Sequence, residues 1–148
     1  MHEATLVAIW LKRAKLGPMD PKASAELIAG LGLVGNSNQG GRRQVTVLSR
    51  ERWQEAEQAL GAPLDPKWRR ANLLVSGLDL RATAGRILRI GDCRLRILGE
   101  TRPCERMDQA FAGLRAELAH DWGGGAYGEV LTGGRIALGD AAAWDAES

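Results

Sequence analysis

At 148 residues the chain has the length of one ordinary domain, and a hydrophobic share of 45% is enough to build a core. Charged residues at 26% exclude global disorder, and a formal net charge of +2 is too small to point to nucleic acid. Two cysteines, Cys93 and Cys104, do not make a disulfide framework.

Sixteen of the twenty basic residues are Arg, whose planar fork matches phosphate and carboxylate. A GC-rich genome, which favours Arg, Ala and Gly codons together, accounts for the same bias. The first residues lack a basic region followed by a long apolar run, and no stretch approaches the roughly 18 apolar residues of a membrane span. The expectation is a soluble, cytoplasmic protein with reduced thiols and no membrane partner.

Thr5 to Leu11 is apolar and β-branched and reads as a first strand, after which Pro18 and Pro21 bracket a turn. Ala25 to Val34 reads as a strand, because Gly30 and Gly32 would each cost a helix about 1 kcal/mol relative to Ala. Asn36 to Gly41 holds only Gly, Asn, Ser and Gln and reads as a loop. Gln44 to Leu48 alternates as a strand. Ser49 is then a natural N-cap for a helix over Arg50 to Leu60, closed by Gly61.

Asn72 to Val75 is a short apolar strand, and the Gly91-Asp92 turn joins a strand pair over Arg86 to Ile90 and Cys93 to Ile97. Met107, Phe111, Leu114 and Leu118 form one stripe of a helix over Met107 to Leu118. Tyr127 to Leu131 and Arg135 to Leu138 read as a last hairpin through Gly133-Gly134, and the acidic tail from Ala141 to Ser148 as frayed. Short strands, nineteen glycines and two helices give a mainly β, α+β chain, with an antiparallel barrel or sandwich and helices outside.

Of the thiols, Cys93 shares a strand face with Leu95 and Ile97 and reads as a small core hydrophobe. Cys104 follows Pro103 at the start of a helix, with Arg102 and Arg106 beside it. Cations and a helix N-terminus favour the thiolate, the form that ligates metal or attacks an electrophile; a buried, inert cysteine is the alternative. Gly40-Gly41 and Gly123-Gly124-Gly125 permit close backbone approach to a ligand, and the latter run reads equally as a flexible connector. Neither is a dinucleotide or P-loop fingerprint. His2 and His120 lack metal-type spacing, and the five tryptophans are too scattered for a base-stacking platform.

Four segments in order carry a resemblance: Gly35-Asn36-Ser37-Asn38-Gln39-Gly40-Gly41, Arg42-Arg43-Gln44-Val45-Thr46-Val47-Leu48, Arg69 to Leu80, and Thr101-Arg102-Pro103-Cys104. Together they resemble the MOSC domain, the module at the C-terminus of molybdenum cofactor sulfurases that also occurs as short stand-alone proteins. The resemblance is clearest over residues 31–140 and makes residues 1–148 a single MOSC-like domain. It implies a β-barrel with flanking helices and binding of the molybdenum cofactor (molybdopterin), with Cys104 as metal ligand or sulfur carrier.

A cofactor of that kind must be held by its phosphate. Arg43-Gln44 and Arg70 with Asn72 match the family's Arg-Gln and Arg-x-Asn patterns, with Asn36 and Gly40 as further candidates from the loop. Arg42, Arg50 and Arg69 read instead as solvated charges. Asn36 and Asn38 stand where many relatives have Asp and His, and Gly123 where an Arg often precedes the glycines.

The activity implied is reduction of an N-hydroxylated small-molecule substrate with electrons from a partner protein. A Cys104 persulfide carrier or cofactor chaperone served by a sulfur-donor protein is the second expectation. The third is a non-catalytic anion-binding module using the seven arginines between Arg81 and Arg106.

Overall fold

A computed structural model describes residues 3–145. Eight strands form the larger sheet in the order β11-β7-β8-β9-β5-β6-β1-β2. In that order they are Ala142–Trp144, Ile87–Ile90, Cys93–Glu100, Ala126–Thr132, Val45–Ser49, Leu73–Ser76, Thr5–Lys12 and Met19–Lys22. All neighbours are antiparallel except β5 and β6, which run parallel because helix α1 (Arg50–Leu60) crosses between them. A small sheet, β10-β3-β4, joins Gly134–Ala137, Ser24–Ile28 and Gly32–Leu33.

Alternation along the strands sorts side chains to two cores. Leu6, Ile9, Val45, Val47, Leu73, Val75, Leu95 and Ile97 pack on one face of the large sheet, together with Cys93, which is fully buried as expected. Trp10, Leu48 and Leu74 face the other way and meet the helices through Trp53, Ala56, Met107, Leu114 and Leu118. A mainly β chain with outer helices is therefore observed.

The closed barrel is not. β2 spans only four residues and pairs with the C-terminal half of β1, from Ile9 to Lys12. On the free N-terminal half, Leu6 donates to the Asp140 carbonyl and accepts from Gly139. Thr5 and Ala141 there form an isolated bridge, so a turn rather than a full strand satisfies that edge.

Helix α1 follows its expectation at both ends. The Ser49 hydroxyl accepts from the Arg52 amide at 3.2 Å, and Gly61 takes a left-handed conformation (φ 68°) to return its amide to Glu57. Replacing Ser49 with Ala should cost about 1 kcal/mol in urea unfolding, with an unchanged m-value.

Five expectations need correction. Pro18 and Pro21 do not bracket a turn; Pro21 lies in β2, an edge strand that needs no amide from it on its outer side. Ala25 to Val34 folds back on itself as β3 and β4, with Gly30 left-handed between them. The helix over Met107 to Leu118 is two, α2 (Glu105–Ala110) and α3 (Leu114–Leu118). Gly113 at φ 92° breaks it, and Asp108 accepts the freed amides of Gly113 and Arg115.

β9 and β10 do not pair with each other: β9 lies between β5 and β8, while β10 crosses to β3. The tail is not frayed as far as it is described, since β11 pairs with β7 in register and Asp145 binds Arg94 at 2.8 Å. Residues 146–148 and His2 lie outside the described residues.

Candidate functional site

Cys104 is exposed and occupies the N-cap of α2, yet its side chain makes no capping hydrogen bond. A six-residue helix carries little macrodipole, so the electrostatics at the sulfur come from side chains. Cys104 lines a cleft of about 240 Å3 together with Lys12, Lys15, Arg43, Arg69, Arg70 and Arg106. Thr46, Thr101, Asn38 and Gly124 complete its polar wall, and no Asp or Glu lines it. Among the described residues none of these six cations forms an ion pair.

Each cation is placed by a different part of the fold. Lys12 ends β1, and Lys15 follows in the β1–β2 connection. Arg70 caps a short 3-10 helix (Pro66–Arg69) that opens with Asp65 as its N-cap, whose carboxylate accepts the Lys67 amide. Arg70 is left-handed at φ 63°, a conformation uncommon for a residue with a Cβ, and its guanidinium donates to the Gly17 carbonyl at 2.7 Å. Arg43 lies over the Tyr127 ring, 4.9 Å from its centroid. Burial lowers the Lys12 ammonium from its ordinary value, and Arg70, Arg106 and Lys15 push it further in the same direction.

Arg69 is not the solvated charge that sequence reading made it. Its Nε donates to the Gly124 carbonyl at 2.9 Å, and its Nη2 reaches the carbonyls of Thr101 and Arg102. Burial lowers its guanidinium from the ordinary value, the nearby Cys104 opposes that shift, and Arg43 adds to it. Thr101 closes the clamp: its hydroxyl donates to the Gly124 carbonyl at 2.6 Å and its amide to Gly125. Arg69 thus pins the segment leading into Cys104 onto the glycine run.

Gly123 to Gly125 accordingly make a tight passage and not a loose connector. A Cβ on Gly124 would fall well inside van der Waals distance of the Thr101 carbonyl, and one on Gly125 would collide with that of Val47. The close approach is to the chain's own backbone.

The remaining sequence candidates divide. Arg43 and Arg70 are brought to the cleft with Cys104; Gln44, Asn72, Asn36 and Gly40 are not among its lining residues. Gln44 is buried, with its oxygen accepting the Val130 amide and its nitrogen donating to the Gly41 carbonyl, so both ends of its amide are engaged by the chain's own backbone.

Asn72 stands behind the cleft. Its oxygen accepts the amide and hydroxyl of Thr46, and its nitrogen donates to the Trp10 carbonyl and to Asn36 Oδ1. Asn36 in turn accepts the Lys12 amide at 2.9 Å, so this pair fixes β1, β5 and β6 beneath the cations. Gly40 holds a left-handed turn, donating to the Leu31 carbonyl. Asn72→Ala should cost about 2–4 kcal/mol in chemical denaturation, because it leaves buried partners on β1, on β5 and in the Asn36 loop without their hydrogen bonds.

Lys12, Lys15 and Arg69 escaped selection because they lie outside the matching motifs or share a dipeptide with a better match. Only the β1–β2 connection and the Arg69 turn, both tertiary features, bring them to Cys104. The arginines from Arg81 onward make no free anion surface as a set: Arg81 pairs with Asp79, Arg94 with Asp145, and Arg86 stacks on Trp144 at 4.5 Å. A second cavity, of about 340 Å3, lies between the start of α1 and Gly77–Arg81, but its Glu51 is taken up by Ser76 and Gly77, and its Asp79 by Arg81.

The model of the MOSC domain matches residues 34–143, a span that contains this cleft's thiol and four of its six cations. The chain belongs to the MOSC domain family. Solved structures agree with that fold. The YuaD protein of Bacillus subtilis is 21% identical at a TM-score of 0.76, covering 95% of this chain and 94% of its own. YiiM of Geobacillus stearothermophilus is 17% identical at a TM-score of 0.76, with 96% and 75% covered. YiiM of Escherichia coli is 15% identical at a TM-score of 0.70, with 96% and 70% covered. At such identities these likenesses speak for the fold of a MOSC protein alone. No curated protein matches the chain in sequence. No helix among the described residues is long and apolar enough to cross a membrane.

Proposed function

We propose that this MOSC protein binds the molybdenum cofactor at the Cys104 cleft and reduces an N-hydroxylated small molecule. One observation carries the reading: an exposed thiol opens on a cleft lined by six cations and no acid. Among the described residues no group of three His, Cys, Asp or Glu side chains could hold a bare metal ion. The donor set therefore suits a metal that arrives with sulfur ligands of its own and takes one further thiolate, a soft ligand for a soft centre.

When bound, the molybdenum supplies two-electron redox chemistry. The chain's part is to bind and orient. Cys104 offers the thiolate, while Arg43 and Arg70 offer guanidinium forks to the anionic end of the pterin. The Arg69–Thr101–Gly124 clamp fixes the approach of Cys104 to them. Electrons come from a partner protein, since the sequence carries no flavin, haem or iron–sulfur signature of its own.

The test is a reductase assay on protein purified from a host that makes molybdopterin, with a reduced viologen as donor and an N-hydroxylated nucleobase as substrate. Turnover is expected, and its loss in Cys104→Ala. Metal-loaded protein with no turnover on N-hydroxylated compounds overturns the reading. The sulfur-carrier reading draws on the same uncapped thiol, which is free to hold a persulfide. Intact-mass measurement on fresh protein separates the two, because a persulfide adds one sulfur to a metal-free chain.

A further inference from the structure

Arg43 is held at the cleft in a way that its neighbours are not. Arg69 and Arg70 donate N–H groups to backbone carbonyls. Arg43, exposed just before β5, makes no hydrogen bond and no ion pair among the described residues. Its contact is the Tyr127 ring, whose centroid lies 4.9 Å from the guanidinium carbon.

Three neighbouring strands build that contact. Tyr127 on β9 lies opposite Thr46 on β5, and Thr46 lines the cleft. Residues directly opposite one another project from the same face of a sheet, so the ring stands on the cleft side. On its other flank Tyr127 pairs with Gly99 of β8, where the register shifts after Ile97. A Cβ on Gly99 would lie 2.8 Å from the Tyr127 oxygen and 3.0 Å from Cε1 and Cζ. The ring thus occupies the space that a side chain at Gly99 would need.

A π face supports a cation differently from a carboxylate. It attracts through its quadrupole but carries no net charge, so the guanidinium keeps its charge and all five N–H donors. We infer that Tyr127 is a positioning residue, seated against Gly99, that fixes the Arg43 guanidinium at the cleft without neutralising it. The ligand that Arg43 serves is the one in the cofactor reading, on which this inference rests; the hold of Tyr127 on Arg43 is measurable without that ligand. The Tyr127 hydroxyl has no hydrogen-bond partner among the described residues, so the ring alone is required.

Arginine side-chain NMR on the cofactor-free protein reads the contact directly. The Arg43 Cδ–H and Nε–H signals, identified by their absence from Arg43→Gln, should be moved upfield by the ring current. The shift should persist in Tyr127→Phe and vanish in Tyr127→Leu. Gly99→Ala keeps the tyrosine and displaces the end of its side chain, so it should move the Arg43 signals too, with the strand residue itself unchanged. The second readout is the rate at which the loaded protein releases molybdenum on dialysis. Tyr127→Leu should release it about two- to fivefold faster, the factor expected of one exposed cation–π contact, and Tyr127→Phe at the wild-type rate. In an Arg43→Gln background Tyr127→Leu should change nothing further, because the ring acts through the arginine.

An unshifted Arg43 signal in the wild type, or a shift that survives both Tyr127→Leu and Gly99→Ala, overturns the inference. Equal release from the Leu and Phe variants, or an effect of Tyr127→Leu that is undiminished without Arg43, overturns it as well. A wild-type chain that takes up no molybdenum fails the cofactor reading instead, and the NMR signals then still decide whether Tyr127 holds Arg43.

Discussion

Purified from a host that makes molybdopterin, Cys104→Ala should retain less than about a tenth of the wild-type molybdenum, since even groups supporting a ligand are worth 10–100-fold in metal affinity. The change removes the one thiol open to the cleft, the other cysteine being sealed in the core. It should leave the fold alone, because the Cys104 side chain is exposed and caps nothing. The unfolding free energy of the cofactor-free protein should therefore stay within about 0.5 kcal/mol of wild type, the usual span for surface positions. The pairing of those two results matters: metal lost with stability kept identifies a ligand, whereas both lost together identifies a structural residue. Cys104→Ser sharpens the comparison, since a hydroxyl keeps the shape and loses the soft donor.

The largest structural effect is expected inside the Gly123–Gly125 run, at Gly124. Gly124→Ala forces a methyl group against the Thr101 backbone carbonyl, which cannot step aside because Arg69 and the Gly125 carbonyl, which accepts the Thr101 amide, hold that segment. We expect a loss of about 3 kcal/mol or more, of the size seen for severe overpacking, and a fall in thermal midpoint of about 6–12 °C for a domain of this length. Gly40→Ala is the control. Gly40, unlike Gly124, is left-handed, but nothing stands near its missing Cβ, so only the conformational penalty of about 1 kcal/mol applies. If the two variants melt alike, the tight passage at Gly124 is not what holds the Cys104 segment.

Local chemistry was legible wherever one element decides it. Ser49 and Gly61 mark α1 because capping is settled within four residues, and Cys93 follows its strand neighbours inward because alternation is local. The order of motifs carried the family and two of the cleft's arginines. What the sequence hid depends on partners distant along the chain. Nothing near Gly133 tells β10 to leave β9 for β3, and nothing near Met107 tells Asp108 to cap a second helix beyond Gly113.

The site divides along the same line. Gln44 and Asn72 look like ligand groups because amides bind phosphates, yet their actual partners, Val130, Gly41, Thr46, Trp10 and Asn36, come from other strands and a loop and engage both ends of each amide. Arg69 looks like one more surface arginine until the backbone carbonyls of Thr101, Arg102 and Gly124 are seen to converge on it. Lys12 and Lys15 join the cleft through the bend between β1 and β2, where Pro18 and Pro21 suggested only a turn.

The central claim is that a thiol and a ring of unpaired cations form one cofactor site. Elemental analysis of the wild-type protein, isolated from a molybdopterin-producing host and quantified against protein concentration, addresses it directly. Molybdenum approaching one atom per chain, accompanied by a releasable pterin, is the result this structure predicts. A chain isolated from that host with intact fold and reduced Cys104, yet with neither molybdenum nor pterin, would contradict it.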